Sequence, residues 1–174
     1  RSDMTLADAI ARVRYLLDEP TAKMWSDAEI TAWLDEGQKA MCEKRGIEEI
    51  WTEELTAATT VTLPTDFMSI YKVDVEEVTP DFLTFDNALR FTEAQTGTLT
   101  VYGTRAPDTL TSSQDFQLPN SFVDGAIYYA CWAANQKDEN YAEGGYYQGL
   151  FRDKRVAWEN SRKYTPVRFA AKWL

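Results

Sequence analysis

The sequence contains no histidine. That absence removes the side chain that titrates nearest neutrality, and with it the serine and cysteine triads that need an imidazole base and the commonest zinc ligand. Cysteine occurs only at Cys42 and Cys131, too few for a disulfide framework or a four-cysteine metal site, so the expectation is two buried thiols in a reducing compartment. Long apolar runs are also missing. None approaches the roughly 20 residues of a membrane span, and Arg1-Ser2-Asp3-Met4 offers no signal-peptide core. The reading is a soluble protein made in the cytoplasm, with the three residues ahead of Met4 taken as a cloning remnant. Basic charge is scarce: 18 Lys and Arg stand against 28 Asp and Glu, a net −10, with a pI near 4.5. Such a chain repels a phosphate backbone rather than coating it.

What is present is the composition of an ordinary globular chain. It has 174 residues, 44% hydrophobic, 13% aromatic and 26% charged. At this mass a folded monomer exposes roughly 8,700 Å² against about 29,000 Å² unfolded, enough for a real core. One domain spanning 4–164, carrying an insertion, is expected, and repeats and low-complexity tracts are lacking. Leu6, Ala9, Ile10, Val13, Leu16 and Leu17 recur at helical spacing behind Thr5, predicting a helix over 5–18 that stops before Pro20. Ser26-Asp27-Ala28-Glu29 is a capping box, with Trp25 placed to staple onto Ile30, and predicts a second helix over 26–46 that Gly46 ends. The two make a helical hairpin.

From about 52 to 110 the period changes to two. Thr59–Leu63, Ser69–Val75, Ala88–Thr92 and Thr98–Tyr102 alternate apolar and polar residues and are rich in branched side chains. Gly97 and Gly103 punctuate them, and Thr79-Pro80-Asp81 and Ala106-Pro107-Asp108 supply turn chemistry. This predicts a small antiparallel sheet inserted between helical halves. Helix returns over 120–137, capped by Asn120 or Ser121, with Phe122, Val123, Ala126, Ile127, Ala130, Cys131 and Ala134 on one side. Asn140 and Glu143 open a last helix over 141–163, and Thr165-Pro166 sets off a tail over 165–174. The fold class is therefore mainly α with a β insertion, an α+β fold.

Residues that carry chemistry are few. Glu48, Glu49, Glu53 and Glu54 offer carboxylates for acid–base work or a cation, but no Gly-bearing loop spacing accompanies them, and a solvated face is the favoured reading. Gly144-Gly145-Tyr146-Tyr147-Gln148-Gly149 follows a helix and has no Gly-Lys-Ser/Thr ending, so it reads as a soft helix start rather than a phosphate cradle. Asp74 and Asp86-Asn87 fit no calcium loop. No catalytic, cofactor or metal residues are assigned, and no cofactor is expected. The six Trp and nine Tyr could stack bases, but the acidic context favours core and interface packing. The tail is the most suggestive feature: Arg168, Phe169, Lys172, Trp173 and Leu174 pair aromatics with cations, the chemistry of interface anchors, and are the candidate partner-binding residues. Docking on another subunit is favoured over folding back on the same chain.

The order of these elements resembles the head-tail connector, or adaptor, proteins of tailed bacteriophages. The resemblance is carried by Trp25-Ser26-Asp27-Ala28-Glu29-Ile30, by Trp33-Leu34-Asp35-Glu36-Gly37-Gln38, by Leu63-Pro64-Thr65-Asp66-Phe67, by Tyr102-Gly103-Thr104-Arg105-Ala106-Pro107 and by Leu118-Pro119-Asn120-Ser121-Phe122-Val123-Asp124. Asp35 stands where that family often has asparagine. The resemblance spans roughly Leu6 to Trp158. It implies a ring, twelve-fold, that docks beneath the portal protein after packaging, joins capsid to tail or stopper proteins, and lets DNA pass without sequence-specific binding. It also implies location at the virion's head-tail junction after assembly in the host cytoplasm, with no membrane and no turnover. A tail-completion or stopper protein, a small acidic α+β ligand-binding or enzyme domain, and a module that binds one protein partner as a monomer stay open beside it.

Overall fold

The structure is a computed structural model that describes residues 4–19, 24–112 and 115–161. The element order is α1 (Leu6–Leu16), α2 (Asp27–Cys42), β1 (Ile47–Thr62), β2 (Phe67–Val75), β3 (Phe82–Phe85), β4 (Ala88–Arg105), α3 (Asn120–Lys137) and α4 (Tyr141–Asn160). It is an α+β fold. The chain divides into two compact units: described residues 4–45 and 107–161 form a helical one, and residues 46–106 a sheet.

In the helical unit both predicted starts are capping boxes. The Thr5 hydroxyl accepts the Asp8 N–H while the Asp8 carboxylate accepts the Thr5 N–H, and Ser26 and Glu29 repeat the arrangement on α2. Each box satisfies two N–H groups that the helix itself leaves unpaired. Trp25 meets the edge of the Trp33 ring, centroids 5.3 Å apart, rather than serving only as a staple on Ile30, which is fully buried. The α1–α2 joint is tied by Arg14, which donates to the Trp25 carbonyl at 2.9 Å and pairs with Asp27 and Glu19. These bonds compensate a guanidinium that is only 7% exposed. α2 and α3 cross closely: a Cβ built at Gly37 would stand 2.9 Å from the Ala126 Cα. Val123, Ala126, Ile127, Ala130, Cys131 and Ala134 bury the inner face of α3 as the spacing predicts.

Several bounds differ from the sequence reading. α2 ends at Cys42 rather than 46, because residues 43–45 bend and Arg45 lays its guanidinium over the Trp158 ring, 3.7 Å from the centroid. Arg45 Nη1 donates to the Trp158 carbonyl at 2.9 Å and Trp158 Nε1 donates to the Arg45 carbonyl at 2.9 Å, a reciprocal clamp. Pro119, not Asn120 or Ser121, occupies the cap position of α3, and the Asn120 side chain instead accepts the Met4 N–H at 3.0 Å. α4 ends at Asn160, and Ser161 closes it by donating its N–H to the Trp158 carbonyl.

The sheet runs from 47 to 105 rather than 52 to 110. Ile47-Glu48-Glu49-Ile50-Trp51 has too much charge to announce a strand, yet it pairs residue by residue with 101–105 of β4. β4 is one continuous strand of 18 residues, not two, bonded to β1 on one side and to β2 and β3 on the other. Asp86, at φ 50°, turns the short β3 back into β4. The core of the unit is Leu55, Val61, Leu63, Ile70, Val73, Val75, Leu89, Phe91, Leu99 and Val101, with Trp51, Phe67 and Phe82 packed against it. The β1–β4 pairing shifts register between Leu55 and Thr60, opposite Gln95 and Gly97, where Ala57 takes a φ of 48°. A bulge of this kind sharpens twist and bend.

Candidate functional site

The segment that carried the resemblance is, first of all, a device for holding a loop. Gln38 is fully buried in the middle of α2, where its Nε2 donates to the Asp108 carbonyl at 3.2 Å and its Oε1 accepts the Gln117 N–H at 2.9 Å. One turn earlier, Asp35 accepts the Leu110 N–H at 2.8 Å and pairs with Lys39, which also donates to the Thr109 hydroxyl. Helical spacing thus puts Asp35, Gln38 and Lys39 on one strip of α2, and that strip holds residues 108–110 and Gln117. A buried amide is tolerated only when its polar atoms are satisfied, as both are here. Sequence reasoning missed this role of Gln38, because nothing local distinguishes a buried glutamine from a solvated one.

At the far end of the unit, Glu29 joins two helices. Its Oε1 accepts from Lys137 Nζ at 2.6 Å, while the Ser26 N–H and hydroxyl donate to Oε2 at 2.9 Å. The Lys137 ammonium first, and then these Ser26 donors, hold the Glu29 carboxyl down to about 2. Lys137 also stands over the Trp25 and Trp33 rings at 5.3 and 5.9 Å. Tyr147 donates its hydroxyl to the Leu16 carbonyl at 3.1 Å, satisfying the end of α1, and burial pushes that phenol up to about 12. Beside it Tyr146 is 63% exposed, and Tyr15, Met24 and Tyr141 also reach solvent.

The sheet unit offers a different surface. Ile50, Tyr102 and Lys72 stand directly opposite one another across β1, β4 and β2. They line an open groove of about 670 Å³ with Glu48, Glu49, Tyr71 and Gly103. Ile50 is 63% exposed, an apolar side chain at the edge of an otherwise polar row. Lys72 is held against the Asp74 carboxylate, which also accepts from the Thr79 hydroxyl at 2.8 Å. At the β3–β4 hairpin, Leu83 and Phe85 are 65% and 69% exposed. This unit is also the more acidic for its length. Residues 46–106 hold eleven carboxylates against Lys72, Arg90 and Arg105, whereas residues 162–174 hold four cations and no carboxylate.

The sequence-derived candidates fall as follows. Arg168, Phe169, Lys172, Trp173 and Leu174 lie outside the described residues. Glu48, Glu49, Glu53 and Glu54 all lie on β1, where alternation sends them to both faces; Glu49 pairs with Arg105 at 3.0 Å and Glu54 accepts from the Thr98 hydroxyl at 2.6 Å. Gly144–Gly149 lies within the early turns of α4, inside the helix expected over 141–163, with Gly144 against Asn135 and Gln136, and Gly145 and Gly149 facing open space. Cys42 and Cys131 are buried free thiols, and burial pushes both up to about 12, so neither is a ready nucleophile. Among the described residues no group of three or more Asp, Glu or Cys could hold a metal ion, and no helix is long and apolar enough to cross a membrane. The exposed groove was not legible, because Ile50, Tyr71 and Tyr102 come together only through strand pairing.

Comparison with known proteins adds two findings. The family model for the SU10 adaptor protein matches residues 4–169. Among solved structures, a chain from the neck of an empty GTA particle computed with C6 symmetry is 18% identical over 75% of this chain and 80% of that one. Its TM-score of 0.28 is too low for the likeness to carry any part of the reading. No curated protein matches the chain.

Proposed function

The chain belongs to the SU10 adaptor protein family, and from that premise we propose that it is a structural head-tail connector of a tailed phage or prophage. In this reading copies of it form a ring, twelve-fold, beneath the portal protein, join the capsid to tail or stopper proteins, and surround part of the path that DNA takes. It acts by assembly and not by turnover. The family match over residues 4–169 is the observation that carries the reading. Residues 4–164 serve as one connector-like domain into which the sheet is inserted, and residues 165–174 serve as an arm. Arg168, Phe169, Lys172, Trp173 and Leu174 are the anchors of that arm, aromatic groups to bury and cations to pair.

The charge supports this reading. A net −10 suits a wall past which DNA must slide, since every phosphate contact by a lysine or arginine gains free energy from released counterions and would hold the duplex. Exposed Leu83 and Phe85 on the β3–β4 hairpin, and Tyr15, Tyr141 and Tyr146 on the helices, are apolar groups of the kind that assembly covers. The test is the mass of the purified protein by light scattering, alone and mixed with purified portal rings. A ring unaided, or monomers that join the portal at a fixed ring stoichiometry, is the expected result. A monomer indifferent to the portal at every concentration overturns it.

A further inference from the structure

Among the described residues β1 is an edge strand. In the order β1-β4-β2 it is bonded on one side by β4, and among the described residues no strand bonds its other side. At 16 residues it is long for an edge, and an unpaired edge is a template for another chain. Side chains alternate along it. Glu48, Ile50 and Thr52 fall on the face with the groove, where Ile50 stands beside Tyr102. Glu49, Trp51 and Glu53 fall on the other face, where Trp51 packs against the sheet core and Glu53 is exposed.

The C-terminal sequence complements this edge in two ways. Val167, Phe169, Ala171 and Trp173 alternate with Arg168, Ala170 and Lys172, the period-two pattern of a strand with an apolar and a cationic side. Arg168 and Lys172 are also spaced by four, as are Glu49 and Glu53, so one pairing brings both cations opposite both carboxylates. The charges agree at larger scale, with the acidic excess in residues 46–106 and the cations in residues 162–174.

We propose, resting on the assembly reading above, that residues 167–174 of one copy add as an antiparallel strand to the β1 edge of a second copy. Lys172 then faces Glu49 and Arg168 faces Glu53, while Phe169 and Trp173 flank Ile50 over the groove. Main-chain hydrogen bonds supply the affinity of such strand addition and the alternate side chains supply its register. The contact is head-to-tail, each copy giving an arm and receiving one, which is the geometry that closes rings.

The test uses two full-length variants, Glu53→Cys and Arg168→Cys, mixed under a mild thiol oxidant. The native Cys42 and Cys131 are buried with raised pKa and do not compete. The expected result is a disulfide-linked pair of different chains, formed at least about tenfold faster than between Arg168→Cys and a Glu93→Cys control on β4. Adding Lys172→Glu to the Arg168→Cys chain should slow it several-fold, as a reversed ion pair does. A rate no faster than the control, on wild-type rings that light scattering shows to be intact, overturns the inference and leaves the ring standing. Cross-linking only within one chain, seen with the double-cysteine variant, places the arm on its own sheet and also overturns it, as does an arm cross-linked to the portal alone. A wild-type chain that stays monomeric with and without portal takes down the ring and this inference together.

Discussion

The carboxamide of Gln38 bonds a carbonyl and an N–H that are 70 and 79 residues away in sequence. Gln38→Leu keeps the volume and removes both bonds, leaving the Asp108 carbonyl and the Gln117 N–H without this partner at about 1–3 kcal/mol each. A loss of about 2–4 kcal/mol in urea-unfolding stability is expected, and a change below about 0.5 kcal/mol would show that the loop does not depend on this clamp. Glu29 gives a prediction in pH. Its folded pKa, about 2, lies below the ordinary 4.5, so its contribution is present above pH 4.5 and is lost as pH falls from 4.5 through 2. Glu29→Gln should flatten the stability profile in that window, read as the thermal midpoint at steps of pH, while Ser26→Ala lowers stability by about 1 kcal/mol at neutral pH. The capping boxes behind this second prediction are legible in sequence because all their partners lie within four residues. Gln38 is not, because what makes it matter is a loop on the far side of the sheet insertion. The candidate tail residues fall outside the described chain, and the groove around Ile50 depends on pairing partners 52 residues apart.

Among the elements, α2, α3 and α4 separate glycines that fill a role from those that do not. Gly37 faces the α3 backbone at the Ala126 Cα, so Gly37→Ala forces two helices apart and should cost about 1–3 kcal/mol even though alanine favours helix. Gly145 faces open space inside α4, and Gly145→Ala should stabilise by about 0.5–1 kcal/mol. Denaturant midpoints of the two variants moving in opposite directions would check both, and a shared direction would refute the distinction. The strands show where sequence patterning runs out. Val61, Leu63, Val73 and Val75 announce themselves by alternation, but Glu93-Ala94-Gln95 sits in the middle of β4 with no apolar signal and stays extended because Gln95 pairs with Ala58 across the bulge. β3, only four residues long, is likewise made by its partner, with Phe82 bonded opposite Phe91. At the α2 terminus, Gly46 marks the entry to the sheet rather than the end of the helix, because the helix gives way earlier so that Arg45 can reach Trp158.

For the whole molecule, charge predicts what the protein ignores. With 28 acidic against 18 basic residues, duplex DNA at about 0.15 M salt should pass a gel unretarded by the protein at micromolar concentration. A retarded band would show that local cations outweigh the net charge and would remove the support that acidity lends to a DNA path. The two-unit division has a further consequence, drawn from Gly46. A Cβ there would meet the Arg105 carbonyl oxygen at 2.3 Å, and the next residue, Ile47, pairs with Arg105. The chain therefore leaves the helices and returns to them through two adjacent points, with the whole of residues 46–106 strung between. Until that stretch folds, α1 and α2 must find α3 and α4 across a slack tether; once it folds, the tether shrinks to the width of one strand pair. On the logarithmic cost of loop closure, the difference is about 3 kcal/mol in favour of helix docking. Folding of the sheet and docking of the helices are thus entropically linked, each lowering the cost of the other.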